Sequence, residues 1–298
     1  VSKKPGGRFM LKVAIQYALF LNKVFGIDIR RKIFKSIYEN LGGRIRLIIT
    51  GAAAIDPVVS KFFRNIGISV LQGYGLTECS PLVAGNRDSA FKDDSVGLPI
   101  PGVEVRIINA DSSGAGEIIT RGDNVMLGYF EDEEATRKSI VDGWFHTGDL
   151  GRIDDDGFVH ILGRIKNVIV TKNGKNIYPE ELEASINRNP FVKESLVLGM
   201  VDDESGETQV HVQILPNIDA IKEKLKVINI SREELTKIFS DVIKNVNKNL
   251  PLYKHIKKFS IRDSEFIKTT TKKIKRHMEK KSKDKQFQGE NKMENDAQ

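Results

Sequence analysis

The chain has 298 residues, 40% of them hydrophobic and 29% charged, with a single cysteine, Cys79. At roughly 100 to 200 residues per domain this is enough for two compact cores, and the composition excludes disordered, fibrous and disulfide-stapled classes. The net charge of +7 does not point to nucleic acid: much of the basic excess (Lys272, Lys273, Lys275, Arg276, Lys280, Lys281, Lys283, Lys285) is gathered near the C-terminus, without interleaved aromatic residues.

From residue 9 to residue 38, Leu11, Ala14, Ile15, Ala18, Leu19, Val24, Ile33 and Ile37 recur at helical spacing, interrupted at Gly26. The spacing predicts two amphipathic helices packed on a core. The apolar run between Lys12 and Lys23 falls far short of the roughly 20 residues that cross a membrane. Lys3, Lys4 and Arg8 resemble a charged leader, but no small-residue cleavage site follows. The opening Val1-Ser2, with no Met, reads as excision from a longer protein. The expected location is cytoplasmic, with at most a peripheral membrane contact and no transmembrane segment.

A predicted strand over residues 45–50 leads to a bend at Gly51, a helix opened by Asp56 as cap and Pro57 in its first turn, and a strand over 68–71. This order marks an α/β layer. Past Glu78 the pattern turns to β: Val103, Val105 and Ile107 alternate with Glu104 and Arg106, and a turn at 112–114 leads into a partner strand over 117–120. Asp154-Asp155-Asp156-Gly157 suits a tight turn between strands 151–153 and 158–162. Its three carboxylates diverge, which favours a solvated hairpin tip over a metal site. Beyond Gly163 come a strand over 167–171, a turn at 172–175, a helix from Pro179 and strands over 195–200 and 209–215. A Ser231 to Glu234 capping box then opens a helix running towards Asn249. The expected organisation is an α/β part over 1–163, a small α+β domain over 164–276, and a disordered charged tail over 277–298, where apolar residues nearly vanish.

Five segments carry chemistry. Gln72-Gly73-Tyr74-Gly75-Leu76-Thr77-Glu78 follows a strand; its glycines allow close backbone approach, and it offers an aromatic face, a hydroxyl and a carboxylate. Gly51-Ala52-Ala53 leaves room for a flat base or an alkyl chain. Gly143-Trp144-Phe145-His146-Thr147-Gly148-Asp149 ends in a carboxylate able to accept from two hydroxyls. Gly163-Arg164-Ile165-Lys166 is followed by Gly174-Lys175-Asn176-Ile177-Tyr178-Pro179-Glu180-Glu181-Leu182-Glu183, a turn and a good helix start. Last comes Thr269-Thr270-Thr271-Lys272-Lys273-Ile274-Lys275-Arg276. Each has a bland alternative: a polar turn, tight packing, a solvated lysine run. His146 and Cys79 read as structural, and the five histidines form no zinc-spaced group.

Taken in chain order, the segments resemble the motifs of the adenylate-forming superfamily, which includes acyl-CoA synthetases, luciferases and peptide-synthetase adenylation domains, over residues 44–276. The resemblance implies a remnant of a large α/β and β-barrel N-terminal domain, followed by a small mobile α+β C-terminal domain. It places Tyr74 against adenine, with Gly73, Gly75 and Ile161 in the nucleotide pocket and Gly51-Ala52 between adenine and the acyl group. Thr77 meets phosphate, Glu78 helps bind Mg2+, and Asp149 and Arg164 take the ribose. Lys166 is the hinge, Gly174 lines the thiol's approach, and Lys273 stabilises charge during adenylation. Lys272 stands where the family has Gly.

The implied reaction is attack of a carboxylate on Mg-ATP to give acyl-AMP, then transfer to the thiol of CoA. The wording of residues 170–179 looks most like bacterial long-chain fatty-acyl ligases, so fatty acid and CoA are the expected partners. Transfer to a carrier protein, and a non-catalytic nucleotide-binding fragment, are the alternatives. No Ser/Thr/Gly-rich loop ending in Pro-Lys-Gly occurs in the chain, so the isolated polypeptide is expected to be catalytically impaired.

Overall fold

A computed structural model describes residues 7–53, 55–202, 206–270 and 272–279. The chain divides into two units, Val1–Ile165 and Lys166–Gln298, two residues beyond the expected boundary.

In the first unit, helix α1 (Gly7–Phe25) ends where Gly26 turns to φ +66°. Ile15 joins Phe34, Tyr38, Ile66 and Ile68 in one buried cluster. Phe9, Met10, Val13, Tyr17, Phe20 and Val24 stay more than half exposed, so core packing holds for one stripe of the helix only. The expected second helix is two short ones, α2 (Arg30–Ile33) and α3 (Lys35–Asn40). They are parted at Phe34, whose backbone leaves helical angles (φ −101°, ψ 26°).

Strand β1 (Leu47–Thr50), helix α4 (Pro57–Asn65) and strand β2 (Ser69–Gly75) form the α/β layer, with β1 and β2 parallel from Leu47↔Ser69 to Thr50↔Gln72. Asp56 caps α4, accepting from the Val58 N–H at 2.8 Å. Strand β2 continues through Gly75 because β3 (Leu82–Gly85) returns antiparallel beside it, pairing Gly73 with Gly85 and Tyr74 with Ala84. Residues 72–75 are therefore strand, not the loop expected after Leu71. The short β4 (Leu98–Pro99) completes this sheet.

A second sheet holds β5 (Val103–Ile108), β6 (Gly116–Gly122), β7 (Ile140–Val141), β8 (Trp144–Ile153) and β9 (Val159–Arg164), with α5 (Glu133–Ser139) leading into β7. Its order is β5-β6-β8-β7, with β9 also on β8, and every pairing is antiparallel. Along β8, Phe145, Thr147, Asp149 and Gly151 are buried while their neighbours are half exposed, the two-residue period of a strand with one face on a core. Tyr74, Cys79, Val83, Ala84, Val96, Ile118, Phe145 and Val159 form the core joining the two sheets.

At the tip of this turn Asp155 and Asp156 are exposed, as expected, but Asp154 is held inward. Asp154 Oδ2 lies 2.6 Å from Lys92 Nζ and 2.9 Å from His160 Nε2. Its Oδ1 accepts from the Phe158 N–H at 2.9 Å. Burial alone would raise the Asp154 carboxyl, but Lys92, His160 and the Phe158 N–H outweigh it and hold it well below the usual carboxylate range.

The second unit opens with the hairpin β10 (Ile169–Val170) and β11 (Asn176–Ile177), then helix α6 (Pro179–Asn187). A three-stranded sheet follows: β12 (Val192–Val201) runs antiparallel to β13 (Thr208–Pro216), which is parallel to the unanticipated β14 (Ile256–Ile261). The helices α7 (Ile218–Leu225), also unanticipated, and α8 (Arg232–Asn247) connect β13 to β14. The capping box forms: Ser231 Oγ accepts from the Glu234 N–H at 3.2 Å, and the Ser231 N–H donates to Glu234 Oε2 at 2.8 Å. Ile177, Leu182, Ile186, Val197, Val212, Ile214 and Phe239 lie at the centre of this unit's core. The fold is thus mixed α/β and α+β. The tail begins later than expected: residues 276–279 make a helical turn and Glu279 is 2% exposed. The disorder expected further on, over 280–298, lies outside the described residues. Among the described residues no helix is long and apolar enough to cross a membrane.

Candidate functional site

The first unit gathers its polar centre on β8 and β9. Because β8 alternates, Asp149 points to the buried face, and antiparallel pairing sets Arg164 of β9 directly opposite. Arg164 Nε is 2.6 Å from Asp149 Oδ1, and the Tyr74 hydroxyl donates to Oδ2 at 2.7 Å. The Asp149 side chain is 8% exposed, that of Arg164 45%. From below, the Asp149 N–H donates to Thr147 Oγ1 at 3.0 Å, and that hydroxyl donates to the Ile118 carbonyl at 2.7 Å. Burial, then the adjacent Asp149 charge, push the Tyr74 phenol far above its usual pKa, so it serves as a permanent donor. Each carboxylate oxygen can accept a second bond, so Asp149 can be held by Tyr74 and Arg164 and still receive hydroxyl groups of a ligand.

Immediately after β2 a single 3-10 turn, Thr77–Cys79, presents an exposed Thr77 and a half-buried Glu78. The Tyr129 hydroxyl donates to Glu78 Oε1 at 3.1 Å. Beneath, burial and then the Glu78 charge push the Cys79 thiol up to about 11, consistent with an inert side chain. Among the described residues no three His, Cys, Asp or Glu side chains converge on a point. Glu78 as one protein ligand among phosphate oxygens and waters still fits Mg2+, which is usually bound through one or two carboxylates and substrate phosphates.

A Cβ at Gly51 would lie 3.6 Å from the Gly73 carbonyl oxygen, so the bend after β1 and the β2 motif are neighbours. Ala52 takes a left-handed backbone, φ +63°. Gly75 has a purely internal reason: a Cβ there would lie 2.0 Å from the Pro81 carbonyl oxygen. The return of the chain into β3 thus excludes a side chain at Gly75 whether or not a ligand approaches its backbone. Ile161 is half-buried, packed on the same core as Tyr74 and opposite Gly151 of β8.

The second unit carries the remaining candidates on separate turns. Lys166 is exposed in the 3-10 turn Ile165–Asn167, and Gly174 sits at φ +70° with no atom within 4 Å of a would-be Cβ. Beside that turn a groove of about 420 Å3 is lined by Lys172, Lys175, Tyr253, His255 and Lys257, among others. Lys273 is exposed on a hairpin whose arms pair at Lys268 and Ile274. The Thr269 N–H donates to the Lys273 carbonyl at 2.8 Å, and the Lys273 N–H to Thr269 Oγ1 at 3.1 Å. Lys272 adopts φ +61°, the left-handed conformation that glycine takes without strain.

The structure thus joins Tyr74, Asp149 and Arg164 directly and sets Gly51 beside Gly73. Sequence reasoning missed the support that Thr147 gives Asp149 and the bond of Tyr129 to Glu78. Thr147 was accessible, since it lies two residues before Asp149 on the same strand face.

Residues 15–130 match the AMP-binding enzyme family, and residues 166–291 match the AMP-binding enzyme C-terminal domain. The chain belongs to the family of AMP-binding, adenylate-forming enzymes. It is 40% identical over 169 residues to the long-chain-fatty-acid–CoA ligase FadD15 of Mycobacterium bovis, a match covering 57% of this chain and 27% of that protein. It is 33% identical over 225 residues to a long-chain-fatty-acid–CoA ligase of Escherichia coli O157:H7, covering 74% and 38%. Among solved structures, O-succinylbenzoate coenzyme A synthetase of Bacillus subtilis in complex with ATP and magnesium superposes with a TM-score of 0.65 at 29% identity, covering 82% of this chain and 49% of that one. The chain therefore spans less than half the length of these AMP-binding relatives.

Proposed function

We propose that the chain carries the ribose-binding carboxylate and the lysine loop of an acid–thiol ligase that activates a long-chain fatty acid as acyl-AMP and transfers it to CoA. The observation that carries the reading is the buried Asp149, oriented by Tyr74 and Arg164, in a chain related to enzymes named for that reaction.

Asp149 accepts from the ribose hydroxyls while Arg164, half exposed, turns from the carboxylate towards the sugar. Gly51, Ala52, Gly73, Tyr74 and Ile161 border the base, with Tyr74 also fixing the Asp149 rotamer. The Thr77 hydroxyl donates to the α-phosphate, and Glu78 supplies one ligand to Mg2+, which neutralises phosphate charge when bound. Lys273 brings a compact ammonium to the charge that develops as the fatty carboxylate attacks phosphorus. Lys166, at the junction of the units, is the pivot, and the Gly174 turn borders the thiol's path. The lysines of the adjoining groove suit a phosphate-rich carrier such as CoA. Coverage of 38% of the E. coli relative favours a second reading for the isolated polypeptide, nucleotide binding without full turnover.

Half-reactions test the assignment in the complete enzyme. Lys273→Ala should nearly abolish fatty-acid-dependent pyrophosphate exchange and spare thioester formation from supplied acyl-AMP. Gly174→Leu should do the reverse. Gly174→Asn, which tolerates a left-handed backbone, separates obstruction from loop strain. Equal loss in both half-reactions for Lys273→Ala removes it from adenylation. A thioester product on carrier-protein pantetheine, but not on CoA, reassigns the acceptor.

A further inference from the structure

The hairpin bearing Lys273 leaves the sheet at the end of β14 and is closed by a residue beyond the recognised motif. Arg262, the first residue after β14, lies with Nη1 2.5 Å from Glu279 Oε2 and 3.0 Å from Gln213 Oε1. Its guanidinium stacks 4.4 Å from the centre of the Phe266 ring, and its Nε donates to the Ser264 carbonyl at 3.2 Å. The other oxygen of Glu279 accepts from the Ile267 N–H at 2.7 Å. One carboxylate therefore joins the outgoing arm of the hairpin, at Arg262 and Ile267, to the returning arm, at 279. Glu279 is 2% exposed.

A buried carboxylate is costly unless paired and hydrogen-bonded, and an apolar side chain would fill the same space. What the charged pair adds is directionality: a forked donor on one arm and a two-oxygen acceptor on the other accept one register of the stem. The returning arm is fastened a second time. Arg276 Nη2 is 2.5 Å from Glu183 Oε2 of α6, and its Nη1 donates to the Val197 carbonyl of β12 at 3.1 Å. Lys268, at the base of the loop, is 2.7 Å from Glu194. The stem cations Arg262, Lys268 and Arg276 are each matched by a carboxylate, and the charge of the exposed tip is that of Lys272 and Lys273.

We propose that Glu279 is a positioning residue for Lys273: by closing the stem of the hairpin it holds the lysine-bearing turn, residues 269–273, in one arrangement for the adenylation step. The kinetic half of this inference rests on the proposed ligase function; the structural half stands without it.

Two measurements test it. In the 298-residue chain, Glu279→Gln should speed amide hydrogen exchange over residues 267–274 by about tenfold, a local opening, while α8 keeps its protection. Unchanged exchange in the hairpin overturns the proposal. Should Glu279→Gln fail to fold because the half-buried Arg262 is left without its carboxylate, Arg262→Gln/Glu279→Gln removes both charges and carries the same test.

In the complete enzyme, Glu279→Gln should lower kcat for acyl-AMP formation by between about tenfold and a hundredfold, as expected for a reacting group displaced by about 1 Å. The KM for ATP and thioester formation from supplied acyl-AMP should be unchanged, and Glu279→Asp should recover part of the rate. A loss shared by both half-reactions, or a raised KM alone, contradicts a positioning role. A wild-type enzyme that makes no acyl-AMP sinks the ligase reading instead, and the exchange result then decides the role of Glu279 in the hairpin.

Discussion

A phenol beside a buried carboxylate has one stable role, that of donor, and Tyr74 fills it for Asp149. Tyr74→Phe removes that donor while keeping the ring in the core. Bonds to charged groups contribute about 1.5–3 kcal/mol, so the urea midpoint should fall by a corresponding amount with the slope unchanged. An unchanged midpoint means that the bond does not hold the site. Lys272 presents the opposite case, a residue strained by its backbone at φ +61°. Lys272→Gly should stabilise the chain by about 1 kcal/mol, the typical cost of a left-handed non-glycine residue, seen as a higher Tm; no rise would show that the turn relaxes. The sequence displays both residues and hides what matters about them. Tyr74 is visible as an aromatic residue in a motif, but its partner lies on another strand. Lys272 is visible as a departure from glycine, but its backbone angle is not.

Among the elements, those with a strong local signal were legible and those decided by tertiary contact were not. Asp56 with Pro57, and Ser231 with Glu234, mark helix starts through bonds made within a few residues, and both form. Strand β14 was hidden because Lys257 and Lys258 interrupt its apolar residues, although Ile256 and Ile261 are buried in the core. The last helical turn was hidden for a similar reason: Glu279 looks like one more charge in a charged tail until Arg262 is brought to it. The contact between α6 and β12 gives a pH prediction. Burial pushes the Glu183 carboxyl up to about 7, against the opposing pull of Arg276 and the Val197 N–H. The folded state then holds this proton more tightly than the unfolded chain, whose value is near 4.5. Above that value fewer protons are bound by the unfolded state than by the folded one, so this group's contribution to stability falls as pH rises from about 4.5 to about 7. Urea unfolding across that window should show the decline in the wild type and a shallower one in Glu183→Gln; identical slopes would remove Glu183 from the account.

For the molecule as a whole, the division at Ile165 and Lys166 coincides with the start of the C-terminal family match, and the two matches leave out residues 131–165. Asp149 and Arg164 lie in that interval. Their pairing follows from strand alternation and antiparallel register rather than from similarity alone, which makes it the most exposed point of the functional account. Calorimetric titration of the chain with AMP tests it directly. The wild type should bind, and Asp149→Asn, which keeps the shape of the side chain but weakens its acceptor for two hydroxyls, should reduce affinity by at least about tenfold, the effect of losing roughly 1.4 kcal/mol. AMP binding that is absent from the wild type, or equal in Asp149→Asn, would contradict the assignment of the Tyr74, Asp149 and Arg164 cluster as the nucleotide site.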